Sequence, residues 1–180
     1  LLFVMAACST NRNTATTRFY HSFTARYNTY FNGHEAYKEG VLAQEKGHLD
    51  NFTEKLPLFI VSNKSTANMG KGKFDISIEK CEKAIKNHSI KRKPKMSNTR
   101  RRTPKQKRIL AKREYNPFLK NAWMLMGKAQ FRKGDFVEAA STFSYITRLY
   151  AAESDVLAES RAWLATCYTE LGWFYDAEDI

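Results

Sequence analysis

Helical hairpins stacked as a short solenoid, all-α and interrupted by a basic disordered loop, are what this sequence predicts. Three observations point there. Apolar and aromatic residues recur at spacings of three and four and do not alternate, which is the period of helices. The pattern Gly-x-x-x-aromatic-x-x-Gly occurs twice, as GHEAYKEG at residues 33–40 and GKAQFRKG at residues 127–134. Charge is concentrated: of the formal +12 on 180 residues, ten charges lie within residues 91–108, so the remaining chain is close to balanced.

Residues 1–10 read LLFVMAACST, an apolar run, two alanines and a cysteine, in the order found at the end of a bacterial lipoprotein signal peptide. Small side chains at Ala6 and Ala7 let the backbone fit a signal peptidase, and the Cys8 thiol is the acceptor for a diacylglyceryl group. Met5 stands where a leucine is usual. Residues 1–7 are therefore expected to be a signal-peptide remnant, and residues 8–17 a lipid-anchored polar tether. Acyl chains on Cys8 would hold the protein on a bilayer leaflet, outside the cytoplasm. The alternative is an ordinary buried cysteine behind an apolar end; the position at the very start and the polar stretch after it favour lipidation. The sequence opens at Leu1 without Met and stops at Ile180 within a helical pattern, so it is expected to be the N-terminal piece of a longer chain.

Residues 18–89 are expected to form an N-terminal helical region, in which residues 33–40 match the repeat pattern only weakly. Phe19, Phe23, Tyr27, Tyr30 and Phe31 give a helix an aromatic stripe over about residues 17–37. Val41, Leu49, Phe52 and Leu56 continue as a second helix up to Pro57. LPLFIV, residues 56–61, has no partner strand and is expected to be an extended buried connection. Phe74, Ile78, Cys81 and Ile85 mark a third helix. Cys81 and Cys167 fall on core faces, so buried thiols are expected there.

Residues 90–109 read IKRKPKMSNTRRRTPKQKRI. Lys91, Arg92, Lys93, Lys95, Arg100, Arg101, Arg102, Lys105, Lys107 and Arg108 meet no acid, and Met96 is the one apolar residue among them. Such a segment cannot bury a face, so a solvated flexible loop is expected. It is either a plain linker or a docking strip for an anionic surface: an acidic protein, lipid headgroups or peptidoglycan carboxylates. A nucleic-acid arm would need aromatics interleaved for stacking, and the run has none, so no nucleic-acid partner is expected.

Residues 110–180 carry the strongest pattern. Taken with Trp123, the second glycine pair resembles a tetratricopeptide repeat over residues 122–150. Gly127 is small where two helices would cross, and Gly134 with Asp135 supplies the turn. Phe131 precedes that turn; Phe136, Ala139 and Phe143 fall on one face of the next helix. Ala151 stands where a closing proline is usual. A variant copy assigns the same tasks to Leu164, Ala165, Tyr168, Gly172, Phe174 and Ala177, after a linker about four residues longer than the usual period.

Chemistry is not nominated anywhere. His21, His34, His48 and His88 never stand at metal-ligand spacing, and Cys8, Cys81 and Cys167 make no paired-cysteine motif. GKGK at residues 70–73 lacks phosphate-loop spacing and reads as a turn; Glu138, Glu153 and Asp155 sit on polar helix faces. Catalytic, cofactor-binding and metal residues are all expected to be none. No stretch of 18 apolar residues is present.

Four strings carry a closer resemblance: RFYHSFTARYNTYFNGHEAYKEG from Arg18, IKRKP from Ile90, LAKREYNPFLKNAWMLMGKAQF from Leu110 and FVEAASTFSYITRLY from Phe136. With the lipid-acceptor cysteine ahead of them, they resemble the N-terminal part of the SprE/PorW family. These are the tetratricopeptide-repeat outer-membrane lipoproteins of the Bacteroidetes type IX secretion and gliding motility machinery. The resemblance implies a periplasm-facing, lipid-anchored scaffold, needed for protein secretion and gliding through contact with the translocon, the ring lipoprotein complex and the motor. Of site residues, it carries over only the lipidation of Cys8. Two other readings are weighed against it: a nucleic-acid-binding or general tetratricopeptide adaptor that uses the basic loop, and an envelope enzyme whose catalytic part lies beyond Ile180.

Overall fold

The computed structural model describes residues 9–53, 55–61, 68–96 and 102–180. Among these the chain is all-helical, with no strand. The first helices form one continuous rod: α1 (Ala15–Thr24), a π-helical segment (Ala25–Tyr30) and α2 (Phe31–Gly47). Then come α3 (Lys71–His88), α4 (Pro104–Ala111), α5 (Leu119–Lys133), α6 (Phe136–Leu149), α7 (Ser154–Glu170) and α8 (Phe174–Glu178). Each long helix packs on the next in a series, α2 on α3, α3 on α5, α5 on α6, α6 on α7 and α7 on α8. α5 also touches α2 on one side and α7 on the other. No helix is long and apolar enough to cross a membrane among the described residues.

The rod begins where Thr14 accepts a hydrogen bond from the Thr17 backbone N–H at 3.1 Å, a side-chain N-cap. Its buried face is Thr17, His21, Ala25, Thr29, Gly33, Ala36, Gly40 and Gln44. Most of these stand four apart, and in a plain α-helix each such step drifts by about 40°. The π turn takes more residues per turn and rotates the face back, which keeps the row aligned over the whole rod. The buried residues are small, and that is why α3 approaches closely. A Cβ on Gly33 would meet Lys80 Cβ at 3.1 Å and the Ser77 carbonyl at 3.3 Å; one on Gly40 would meet the Phe74 ring at 2.8 Å.

That arrangement corrects the aromatic stripe. Phe19, Phe23, Tyr27 and Phe31 point to solvent, all more than half exposed. Only Tyr30 turns inward, edge-on to Phe118 at 5.0 Å. Period alone says that a helix has two faces, and here the small face is the buried one. The second expected helix is also corrected. The rod runs on to Gly47, and the described residues of 48–61 contain no helix, leaving Leu49, Phe52, Leu56 and Leu58 exposed. Residues 55–61 are irregular with Phe59, Ile60 and Val61 half-buried, so the expected connection is buried only at its far end. Gly40, the second glycine of the first pattern, lies inside α2; the turn comes at Gly70 (φ 74°), whose Cβ would strike the Gly40 carbonyl at 2.5 Å.

The basic stretch is corrected in part. Thr103 and Gln106 form a reciprocal capping box at the start of α4, with Pro104 in the first turn, so residues 104–111 are helical and not loop. α4 buries none of its residues. The ends of the excursion are pinned together by Glu114, which is buried. Its Oε1 accepts from the backbone N–H groups of Ile90 (2.9 Å), Tyr115 (3.0 Å) and Asn116 (2.8 Å), and its Oε2 from the Ser89 hydroxyl (2.6 Å). Ile90 is fully buried, and its carbonyl accepts from Tyr115 N–H at 2.9 Å. Four donors around one carboxylate replace the water it loses. The segment leaves and returns at one point, as Ω-loops do.

The pairs α5–α6 and α7–α8 agree with the sequence pattern more closely. Gly127 faces Phe143, whose ring a Cβ would meet at 2.6 Å, and Gly134 makes the turn at φ 91°. Phe131, Ala139 and Phe143 are fully buried, and Phe136 lies edge-on to Phe131 at 5.3 Å. In the last pair Leu164 and Cys167 are buried, Gly172 has φ 76°, Ala177 is half-buried and Tyr168 lies 5.6 Å from Trp173. Phe174, expected to repeat the task of Phe136, is exposed. Phe136 rests on Phe131, whereas the corresponding residue before the later turn is the exposed Thr169, which has no ring to offer.

Candidate functional site

Three places gather side chains with binding or titrating character, and only one was legible in the sequence. The first is a groove between α5 and α7, entered by the chain's own residues Phe59, Ile60 and Val61. Trp163, which the sequence pattern left unassigned, is its centre. The indole stacks on Phe143 (5.8 Å, 14°) and stands edge-on to Phe131 at 5.4 Å. Phe59 inserts from the connection, 5.1 Å from Trp163 and edge-on to Phe131 at 5.7 Å. Arg132 places its guanidinium over the Phe59 ring at 5.2 Å and donates to the Ile60 carbonyl at 2.9 Å. Lys128 pairs with Glu159 at 2.8 Å and lies 5.4 Å from the Trp163 ring centre. Beside this segment a cavity of about 310 Å³ remains open, reaching Tyr30, Tyr37 and Leu125. The groove thus holds the irregular segment through contacts that include the Phe59 ring and the Ile60 carbonyl. An aromatic in a helix with period-matched neighbours marks a core, not a groove, so the sequence carried no signal for it.

The second place joins the basic strip to the N-terminal segment. Asn13 donates its side-chain amide to the Arg92 carbonyl at 2.5 Å, and Arg92 donates to the Asn11 carbonyl at 3.1 Å. Arg18 donates to the Asn13 side chain at 2.5 Å. Arg12, Arg18, Arg92, Lys93 and Lys95 line one open cavity of about 610 Å³ at the start of α1. Lys105, Lys107 and Arg108 stand elsewhere, exposed on α4. Arg102 is exposed just before it, and Lys91, exposed beside Arg92, lines an adjoining cavity with Thr10 and Asn11. Arg100, Arg101 and the lipid-acceptor Cys8 fall outside the described residues. Among the described residues, the strip is therefore brought to the tether at Arg92, Lys93 and Lys95.

The third place is a pair of histidines from α1 and the end of α3. Their Nδ1 atoms are 3.0 Å apart and both rings are buried. One ring must donate and the other accept, so the neutral pair shares a single Nδ1 proton. His21 Nε2 is buried without a hydrogen-bond partner, and an orphan lone pair costs less than an orphan N–H; that favours His21 as donor. Desolvation holds both rings below the usual imidazole range, and the His21 charge adds to this at His88. Sixty-odd residues separate them in sequence, so no local spacing could have revealed the pair.

Among the described residues, no group of three or more His, Cys, Asp and Glu could hold a metal ion. Cys81 and Cys167 are buried as expected, and desolvation pushes both thiols up to about 12, away from the reactive thiolate. Against known proteins, no family model matches the chain and no curated protein does.

Proposed function

We propose that this protein is a non-enzymatic, lipid-anchored scaffold of the type IX secretion machinery, which grips other components through tetratricopeptide-like hairpins. The observation that carries the repeat reading is an equivalence of close contacts. Gly33 lies against Ser77 and Cys81 as Gly127 lies against Phe143. Ser77, Cys81 and Ala84 are buried at the same spacings as Ala139, Phe143 and Ile146. On this reading α2 and α3 are a degenerate hairpin. Its first helix overruns the turn position at Gly40, and the chain returns at Gly70 beside it. Three hairpins in series then set their first helices, α2, α5 and α7, side by side, the side on which solenoids hold partners, with the chain's own Phe59 occupying it between α5 and α7.

The assignment to the secretion machine rests on the four strings quoted above, and the outer-membrane, periplasm-facing location on Cys8. Its test is genetic and biochemical. Deletion of the gene should block export of sorted cargo and gliding together, and the tagged protein should bring down translocon and ring components. A deletion strain that secretes its sorted cargo normally removes the assignment. Cys8→Ala should release the native protein from membranes, and an unmodified Cys8 in its mass spectrum would remove the anchor.

A further inference from the structure

The outward face of α1 and the π segment carries aromatic rings, with the exposed Arg26 over Tyr27 and the half-buried Arg18 beside Phe19, and no acids. Phe19, Phe23 and Tyr27 run along it at four-residue steps, with ring centres 6.0 and 4.8 Å apart, and all three are more than half exposed. Between Ser9 and His34 the chain carries Arg12, Arg18 and Arg26 and neither Asp nor Glu. The hydrogen bonds between Arg92 and Asn11 and Asn13 add Arg92, Lys93 and Lys95 at the start of the same helix. We infer that this face lies on an anionic phospholipid bilayer surface, with the rings at headgroup level and the cations against phosphate.

The physical match has three parts. Aromatic rings are favoured at the membrane–water interface, where their bodies leave water without entering the hydrocarbon. Basic side chains beside them add attraction to anionic headgroups, screened within about 8 Å at physiological salt. Reach supplies the third, and here the inference rests on the lipid-anchored part of the proposed function. α1 opens at Ala15, and residues 9–14 span at most about 20 Å even when fully extended. That is shorter than the 16 residues of α1 and the π segment, about 24 Å long. An anchor at Cys8 therefore keeps the rings within reach of the bilayer. A second copy of the chain fits the face poorly, because a two-fold pairing would set arginines against arginines. Acyl chains would then hold the protein, and this face would set its orientation.

The test uses the full chain with Cys8→Ser, so that no lipid is attached, in sedimentation with vesicles of phosphatidylcholine with and without phosphatidylglycerol. The apolar residues 1–7 are common to all variants, so the differences between variants are what is read. The parent should bind the anionic vesicles more strongly, and rising salt should weaken that binding. Phe19→Ser/Phe23→Ser/Tyr27→Ser and Arg12→Gln/Arg18→Gln/Arg26→Gln should each lower the partition about tenfold or more, with melting unchanged. A parent that stays in the supernatant, or an aromatic variant that binds as well as the parent, overturns the inference. So does a dimer, seen by light scattering, that the aromatic variant converts to monomer. The anchor is read separately, from fractionation of cells carrying Cys8→Ala. Vesicle binding with an unmodified native Cys8 would leave the face and remove the anchor, and the reverse results would remove the face alone.

Discussion

The α2–α3 pair and the α5–α6 hairpin make the same close crossing but fill it differently. In the later hairpin a glycine admits a large ring: Phe143 presses on Gly127 and continues into Phe131 and Trp163. In the earlier pair Gly33 admits the α3 backbone itself at Ser77 and only Gly40 admits a ring, that of Phe74, while Phe19, Phe23, Tyr27 and Phe31 of the rod are left outside. The difference teaches that hydrophobicity does not by itself select the buried face. Two faces of the rod repeat at nearly the same period. The small one wins because close approach of two helices gains contacts along their whole length, and that gain exceeds what the solvent-facing rings lose.

The largest expected effect tests the ring-filled side. Phe143→Ala removes a fully buried ring at the junction of α5, α6 and α7, and should cost about 3–5 kcal/mol by denaturant unfolding. Gly127→Leu and Gly40→Leu come next, each forcing a side chain against an aromatic ring, at about 1–3 kcal/mol. If Gly40→Leu proved neutral, the small-residue crossing would be wrong. Phe59→Ala should cost about 1 kcal/mol because the ring is half-buried. It should also change Trp163 fluorescence; an unchanged spectrum would mean that the connection does not occupy the groove. Phe23→Ala should stay within about 0.5 kcal/mol, as exposed positions do. A loss comparable with that of Phe143→Ala would show that the aromatic stripe is buried after all.

The histidine pair sharpens the same contrast through pH. Both imidazoles titrate below their ordinary value in the folded protein, so the unfolded chain binds more protons just below that value. Stability should be full above about pH 6.5 and fall as pH drops through the window beneath it. His88→Gln should flatten that slope, measured as the unfolding midpoint between neutral and mildly acidic pH. A slope unchanged from the parent would place the acid sensitivity elsewhere.

Much of residues 110–180 was legible because its signals are local. Gly127, Gly134, Phe131 and Phe143 take their places from spacing alone, and a turn glycine needs no distant partner to explain it. Arg92 and His21 were not legible in this way. Arg92 read as one cation among ten, and only its bonds to the tether distinguish it from Lys107. His21 read as an isolated histidine, and only the end of α3 gives it a partner. The capping box of Thr103 and Gln106 was local and could have been found; the density of charge around it obscured the signal.

The sequence by itself determined the helices from Leu119 onward, their turns at Gly134 and Gly172, the buried Cys81 and Cys167 thiols and the absence of any local catalytic motif. All of these follow from period, propensity and the conformations open to single residues. Tertiary structure decided which face of the rod is buried, where the basic strip begins and what enters the groove at Trp163. Each of those depends on how closely two distant backbones approach, and a linear pattern does not contain that distance.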